Sequence, residues 1–455
     1  MSTRTVADVL LARLSELGVG RIFGPANDLD PSTAAAHGID LVEVPDADLA
    51  VLLADADGRI GRPDGTGRLG AALVGGPVLH LSSCPGGTAV VQTVGSAEDI
   101  VDALAVPVGI DLPGTSALHL DLDLGAPVVG DVVPAVDVDR VPVMVLDPSL
   151  GDLRLVVVVG PGVVRSGALD GLRHLARTAG LGIVNTWGAK GVERWDSPFH
   201  FGTAGLQARD MELAGVVGAD VVLASGLDPA EVPVAGLGNP VVQEVAPAQL
   251  ASLCQRWSAA PAPTVRPALY TDLAAVVGPL YESDSVPLSP ARAALHLSGA
   301  LGDGGVAVAD PGPAGLWLAR AFPTSFPGSV CVPATVLPGV TAAAALVCAL
   351  ERRECLAVTG PGAPGWGGVD EPDPTTAALL EVAEALGVGL RLQVWGDEGR
   401  LGSSGDHVTL LRDHLEVATG STVRSLDPVP VDLSATAQLL DVAGPVVAWG
   451  GQVTV

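Results

Sequence analysis

Lysine and long apolar runs are scarce in this sequence, and each scarcity excludes something. One residue in 455 is lysine, Lys190, and the 24 basic side chains face 51 acidic ones, giving a formal charge of -27. No basic stripe is available to neutralise phosphates, so nucleic acid is not a partner. Hydrophobic residues make up 48% of the chain, yet no run reaches the roughly eighteen apolar residues of a membrane span. The opening MSTRTVADVLLARLSELGV has the apolar spacing of an amphipathic helix and not the basic-then-apolar order of a secretory signal, so a soluble, cytoplasmic protein is expected. The five cysteines, Cys84, Cys254, Cys331, Cys348 and Cys355, are odd in number and never spaced Cys-x-x-Cys. They read as buried thiols in a reducing compartment. The eight histidines are dispersed and read as surface or packing residues. The acidity itself bears on solubility and not on fold.

What is present is a regular alternation. Val6, Val9, Leu10, Leu14 and Leu17 fall at helical spacing, Gly18 and Gly20 end that helix, and Arg21-Ile22-Phe23-Gly24 starts a strand. Further strands are expected at 41–44, 77–82 and 117–122, with helical stretches between them, which is an α/β pattern. The stretch 55–70, DADGRIGRPDGTGRLG, contains a literal Gly-x-Gly-x-x-Gly at Gly65, Gly67 and Gly70. Polar residues precede it where a dinucleotide fingerprint needs a strand, so it reads as a surface loop. Residues 124–148 lack periodicity and read as a connector.

A second α/β stretch begins with the apolar strand 155–159, the turn Gly160-Pro161-Gly162 and a helix over 166–179, and closes near Val245 after a strand at 220–224. That strand, turn and helix either hold a phosphate on helix-terminal amides or form a structural turn; no acidic residue ends the next strand to meet a ribose hydroxyl. Residues 255–288 are rich in Pro and Ser and form a second linker. A third stretch follows, with a helix at 290–302, a strand 306–309 running into Asp310-Pro311-Gly312, and a small-residue helix at 339–350. The strand 356–359 enters Gly360-Pro361-Gly362, and strands at 390–395 and 445–449 complete the set. The fold class is therefore α/β, with three consecutive α/β domains and mainly parallel sheets. The strand ends at Thr359 and Trp395 open onto one crevice, the usual ligand position of an open α/β sheet.

The order of these landmarks resembles the thiamine diphosphate (ThDP)-dependent enzymes of the acetolactate synthase and 2-oxo acid decarboxylase type. VADVLLARLSELGVGRIFGPAN is similar to that family's opening helix and strand, and the segment holding Thr186, Lys190 and Gly191 to its Thr-x-x-x-Lys-Gly stretch. VAVADPGPAGLW, VLPGVTAAAALVCAL and LAVTGPG are similar to the start, the glycine-alanine helix and the cofactor turn of its third domain. The resemblance implies a shortened pyrimidine-binding-like domain at 1–145, a central Rossmann-like domain at 150–255, a linker at 256–285 and a diphosphate-binding-like domain at 286–455. It also implies ThDP and Mg²⁺ as cofactors and a homodimer or homotetramer, each cofactor lying between the first domain of one subunit and the third of another. Cofactor contacts would fall to Gly339, Gly360, Pro361, Gly362 and Asp397.

The chain departs from that family where the chemistry is most demanding. Mg²⁺ wants oxygen ligands in near-octahedral geometry, and the family supplies them from the Asp of a Gly-Asp-Gly turn and an Asn after the next strand. Here the turn holds Pro361, which has no side-chain oxygen, and Trp395-Gly396-Asp397-Glu398-Gly399 holds no Asn. Asp397 and Glu398 are either substitute metal ligands or a solvated acidic loop. The family's pyrimidine-binding glutamate is matched by Asp46 or Asp48, with Glu43 on the preceding strand; as ring partner, a carboxylate must reach the pyrimidine nitrogen directly. The other reading of Asp46 or Asp48 is a cap for the helix starting at Leu49. The family's Ser-Gly-Pro-Gly turn after that helix is missing, and Ser83-Cys84-Pro85-Gly86-Gly87 reads as a different loop. The leading expectation is a homologue with degenerate cofactor motifs, non-catalytic or retooled for another small-molecule ligand. The alternatives are an active 2-oxo acid decarboxylase or carboligase with substituted metal ligands, and a structural partner of an intact ThDP enzyme.

Overall fold

In a computed structural model, residues 4–25, 29–74, 78–82, 90–104, 115–120, 123–128, 143–418 and 422–451 are described, and the loop at 83–87 with Cys84 falls outside them. The fold is α/β with mainly parallel sheets. The chain divides into two compact units, one of residues 1–61 and 67–140, the other of 62–66 and 141–455.

The first unit holds one six-stranded sheet. Its strands are β1 (Arg21–Gly24), β2 (Asp40–Glu43), β3 (Gly70–Leu73), β4 (Val78–Ser82), β5 (Val90–Val94) and β6 (Thr115–Leu120), in the order β2-β1-β3-β4-β6-β5. β1 runs parallel to β2 and β3, and β5 parallel to β6, while β4 is antiparallel to both its neighbours. The helix Val6–Glu16 begins where Thr5 and Asp8 satisfy each other's backbone amides in a capping box. Its buried Leu10, Leu11 and Leu14 pack with Ile22 and Leu79 in this unit's core.

One expectation fails here. Residues 55–60 are the end of the helix Ala47–Ile60 and not a loop, and Asp55 and Asp57 are buried in it. Partners distant in sequence make that burial tolerable. Asp55 meets His80 Nε2 at 2.9 Å, and Asp57 is ion-paired with Arg68. Gly70, the last glycine of the dinucleotide-like string, is where β3 and this helix touch, since a Cβ there would lie 1.7 Å from Ala54 O.

The second unit carries two all-parallel sheets. The first contains β7 (Leu155–Val159), β8 (Ile183–Thr186), β9 (His200–Ala204), β10 (Val221–Ser225) and β11 (Val242–Glu244), in the order β11-β10-β7-β8-β9. The other contains β12 (Val306–Ala309), β13 (Val330–Cys331), β14 (Cys355–Thr359), β15 (Leu390–Gly396) and β16 (Arg424–Pro430), in the order β13-β12-β14-β15-β16. Strands buried on both faces need continuous apolar sequence, which LVVVV in β7 and VAVA in β12 supply. One hydrophobic cluster runs through both sheets, joining Val158, Val184 and Trp187 to Leu356, Val358 and Trp395. At that seam the Arg320 guanidinium is ion-paired with Asp210 and donates to Gln207 Oε1 at 3.1 Å.

Two further readings are corrected in this unit. Residues 445–449 form no strand. Val446 makes a lone bridge to Gln207, Ala448–Gly451 is a short 3-10 turn, and the last strand is β16. The histidines, read as dispersed surface or packing residues, include two close pairings: His296 Nδ1 faces His407 Nδ1 at 3.1 Å and His414 Nε2 lies 2.7 Å from Asp427 Oδ2. Sequence distance hid these pairs, the first brought together by the helices Pro290–Ala300 and Ser404–Ala418 and the second by the latter helix and β16. Among the described residues no helix is long and apolar enough to cross a membrane.

Candidate functional site

The carboxyl-terminal edge of the third sheet gathers most of the residues selected from sequence. Thr359 pairs with Val394, so the turn after β14 and the end of β15 lie side by side. Gly360 has φ 156°, and a Cβ there would sit 2.3 Å from Trp395 O, so only glycine admits this approach. Pro361 and Gly362 follow on the surface, and Asp397 and Glu398, just past β15, are exposed as well. Gly339 precedes the helix Val340–Glu351 with φ 74°, and a Cβ on it would lie 2.6 Å from Thr375 Cγ2. A Cβ on Gly312, at the start of the helix Pro313–Ala321, would lie 3.2 Å from Gly362 O. The loops at this edge thus pack closely on one another.

Beneath them is a buried polar group that the sequence reading passed over. Asp310, at the end of β12, is 5% exposed and accepts a hydrogen bond from Thr341 N at 3.2 Å. Burial pushes its carboxyl up to about 6, against hydrogen bonding from Thr359 and Thr341 and with the help of the nearby Asp373 charge. The hydroxyls of Thr341 and Thr359 lie against it, buried, with no well-formed hydrogen bond of their own. Asp373 is spent as the N-cap of the helix Pro374–Ala385, accepting from Thr376 N at 2.9 Å. An aspartate at a strand end is common in any sequence, and only its burial beside two threonines marks Asp310 out.

These residues do not fit a diphosphate held through Mg²⁺. The turn of Gly360, Pro361 and Gly362 presents no side-chain oxygen. Asp397 and Glu398 have no acidic companions converging on them, and no group of three or more His, Cys, Asp or Glu among the described residues is placed to hold a metal ion. Asp310 lies buried under the loops and is a single carboxylate that already accepts from Thr341 N.

In the first unit, Asp46 Oδ1 accepts from Asp48 N at 2.8 Å and Leu49 N at 3.0 Å, so this carboxylate caps the helix Ala47–Ile60. Asp48 is exposed in the helix's first turn. A cavity of about 470 Å³ opens at the carboxyl ends of β1 and β2, with Leu73 of β3 in its wall. Ile22, Phe23, Leu29 and Leu41 give it an apolar lining, and Glu43 and Asp30 bring the carboxylates. Asp30 is already engaged by Thr33 N at 2.9 Å as a helix cap, so among the described lining residues Glu43 is the carboxylate not spent on a cap. The chain leaves β1 toward β2 on one side and β3 toward β4 on the other, so the gap between β1 and β3, which Leu73 borders, is a topological switch point, where α/β sheets ordinarily bind ligands.

Comparison with known families identifies one stretch. Residues 152–265 match the model described as thiamine pyrophosphate enzyme, central domain. That stretch spans β7 to β11, so the middle of the chain is similar to the central domain of ThDP-dependent enzymes. No curated protein matches the chain.

Proposed function

We propose that this protein has the layout of ThDP-dependent enzymes but is a non-catalytic relative that binds a different small molecule. The observation that carries this reading is the donor set at the third sheet's edge: a Gly360-Pro361-Gly362 turn without a side-chain oxygen, and Asp397 and Glu398 with no further His, Cys, Asp or Glu grouped with them among the described residues. A charged cofactor tail without its metal would face the exposed carboxylates of Asp397 and Glu398. The ligand fits better in the first unit's cavity, whose walls suit an apolar body of several rings or branches and whose Glu43 suits a cationic or hydrogen-bond-donating head.

Calorimetric titration of the full chain with ThDP and Mg²⁺ tests this. No binding heat is expected at cofactor concentrations up to about 1 mM, the weak end of the affinity scale. Micromolar binding that depends on Mg²⁺ and is lost in Asp397→Ala would overturn the proposal and establish a working ThDP site.

A further inference from the structure

The cavity at the carboxyl ends of β1 and β2 has one-sided hydrogen-bonding chemistry. Among the described residues that line it there is no Ser, Thr, Asn, Gln, His, Lys, Arg, Tyr, Trp or Cys, so no side chain in that wall donates a hydrogen bond. Pro25 and Pro31 lack a backbone N–H as well. What the wall offers instead is the carboxyl groups of Asp30 and Glu43. Ser32 Oγ, Thr33 Oγ1 and Thr33 N all bond one oxygen of Asp30, Oδ2, and these bonds hold its carboxyl below the usual carboxylate range. The polar and apolar parts of the wall are also segregated. Ile22, Phe23, Leu29 and Leu73 are buried, whereas Asp30, Pro31 and Glu43 are exposed. The hydrocarbon surface therefore lies inward and the carboxyl groups stand at the mouth.

We propose that this cavity selects hydrophobic primary amines, with the ammonium at the mouth against Glu43 and the hydrocarbon body inward. The proposal rests on the reading above that the ligand of this protein sits in the first unit. An ammonium brings three donors and no acceptor, which complements side chains that only accept. A carboxylate or phosphate brings acceptors and a negative charge, so it finds no donor side chain in the described wall and meets two like charges. A 2-oxo acid is rejected on the same grounds. At about 470 Å³ the cavity is within the size range of small-molecule sites and has room for a body of two rings.

Three probes of matched shape test this: diphenylpropylamine, diphenylpropanol and diphenylpropanoate, each titrated into the full chain at neutral pH by calorimetry and saturation-transfer NMR. The amine is expected to bind at least about tenfold tighter than the alcohol, the gain given by a hydrogen bond to a charged group. The carboxylate should show no binding at about 1 mM. Glu43→Gln should remove the advantage of the amine and leave the affinity of the alcohol within about twofold, which also shows the cavity intact in the variant. Amine binding unchanged in Glu43→Gln would assign the attraction to the general acidity of a chain of charge -27 and overturn the proposal. Carboxylate binding as tight as that of the amine, or no amine binding, would overturn it too. Mg²⁺-dependent binding of ThDP would sink the function proposed above and leave these outcomes unchanged.

Discussion

Arg320 and Asp210 have relative side-chain exposures of 2% and 1%, and every polar atom of the pair is engaged. Asp210 Oδ2 accepts from Leu206 N at 2.8 Å and Gln207 N at 2.9 Å, while its other oxygen meets the guanidinium. Asp210→Ala strands a buried guanidinium and two amides, and breaking such a pair costs about 3–5 kcal/mol. The shift in urea midpoint should show that loss. A change under about 1 kcal/mol would make the pair no more valuable than an exposed one. None of this was legible in sequence, since Arg320 and Asp210 lie on different sheets' elements and each alone looks like a surface residue. Asp46 was more readable, because a cap acts on amides two and three residues ahead, and local spacing reveals it. The same contrast separates Pro361, whose missing oxygen is visible from its place in a turn, from Asp310, whose burial depends on loops from three parts of the chain.

At the level of elements, strands were found in sequence where four or five mostly apolar residues ran into a turn, as β7, β12 and β14 do at Gly160, Asp310 and Gly360. The helix Ala47–Ile60 was cut short on paper because ADADGR looks like a loop. Aspartate and glycine are poor helix formers, and only contact with β3 and β4 explains them. Gly58 is there for room, since a Cβ would lie 2.1 Å from Ser82 O and 3.3 Å from Gly70 N. Gly58→Ala should therefore destabilise the first unit by about 1–3 kcal/mol, as overpacking does, although alanine is the better helix former. Gly20→Ala, with nothing within 4 Å, is the matched control and should stay within about 0.5 kcal/mol of the parent. Thermal unfolding of the two variants measures the difference. Equal melting points would show that the helix and sheet can move apart without cost.

For the molecule as a whole, buried titratable groups set how stability changes with pH, and their signs differ. Burial holds His200 and His407 down to about 3, from 6.5. The unfolded chain therefore takes up two protons below pH 6.5 that the folded chain refuses, and the stability these rings provide is lost as pH falls toward 3. Asp310 works the other way. Raised to about 6 from 3.8, it holds a proton in the folded chain that the unfolded chain lacks between those values. Counting these three groups alone, the balance from about pH 6 to about pH 4 is one proton in favour of unfolding, or about 1.4 kcal/mol lost per pH unit, and His296, also held down by burial, acts in the same direction. Lys190 acts on the alkaline side. Its folded value of about 7 against 10.5 means that only the unfolded chain keeps that proton in between, so stability rises with pH above 7. Denaturant titrations in CO₂-free buffer, at an ionic strength of about 0.15 M where the Debye length is about 8 Å, damp the repulsion among the acidic surface groups. They should show a gain of about 1.4 kcal/mol between about pH 7.5 and about pH 8.5. Lys190→Met, an unbranched side chain one atom shorter and without the charge, should abolish that alkaline rise, while the acid limb persists and is reduced only where His200 no longer meets the Lys190 charge. A rise that persists in the variant would assign the proton to another group and would mean that Lys190 stays charged in the folded protein.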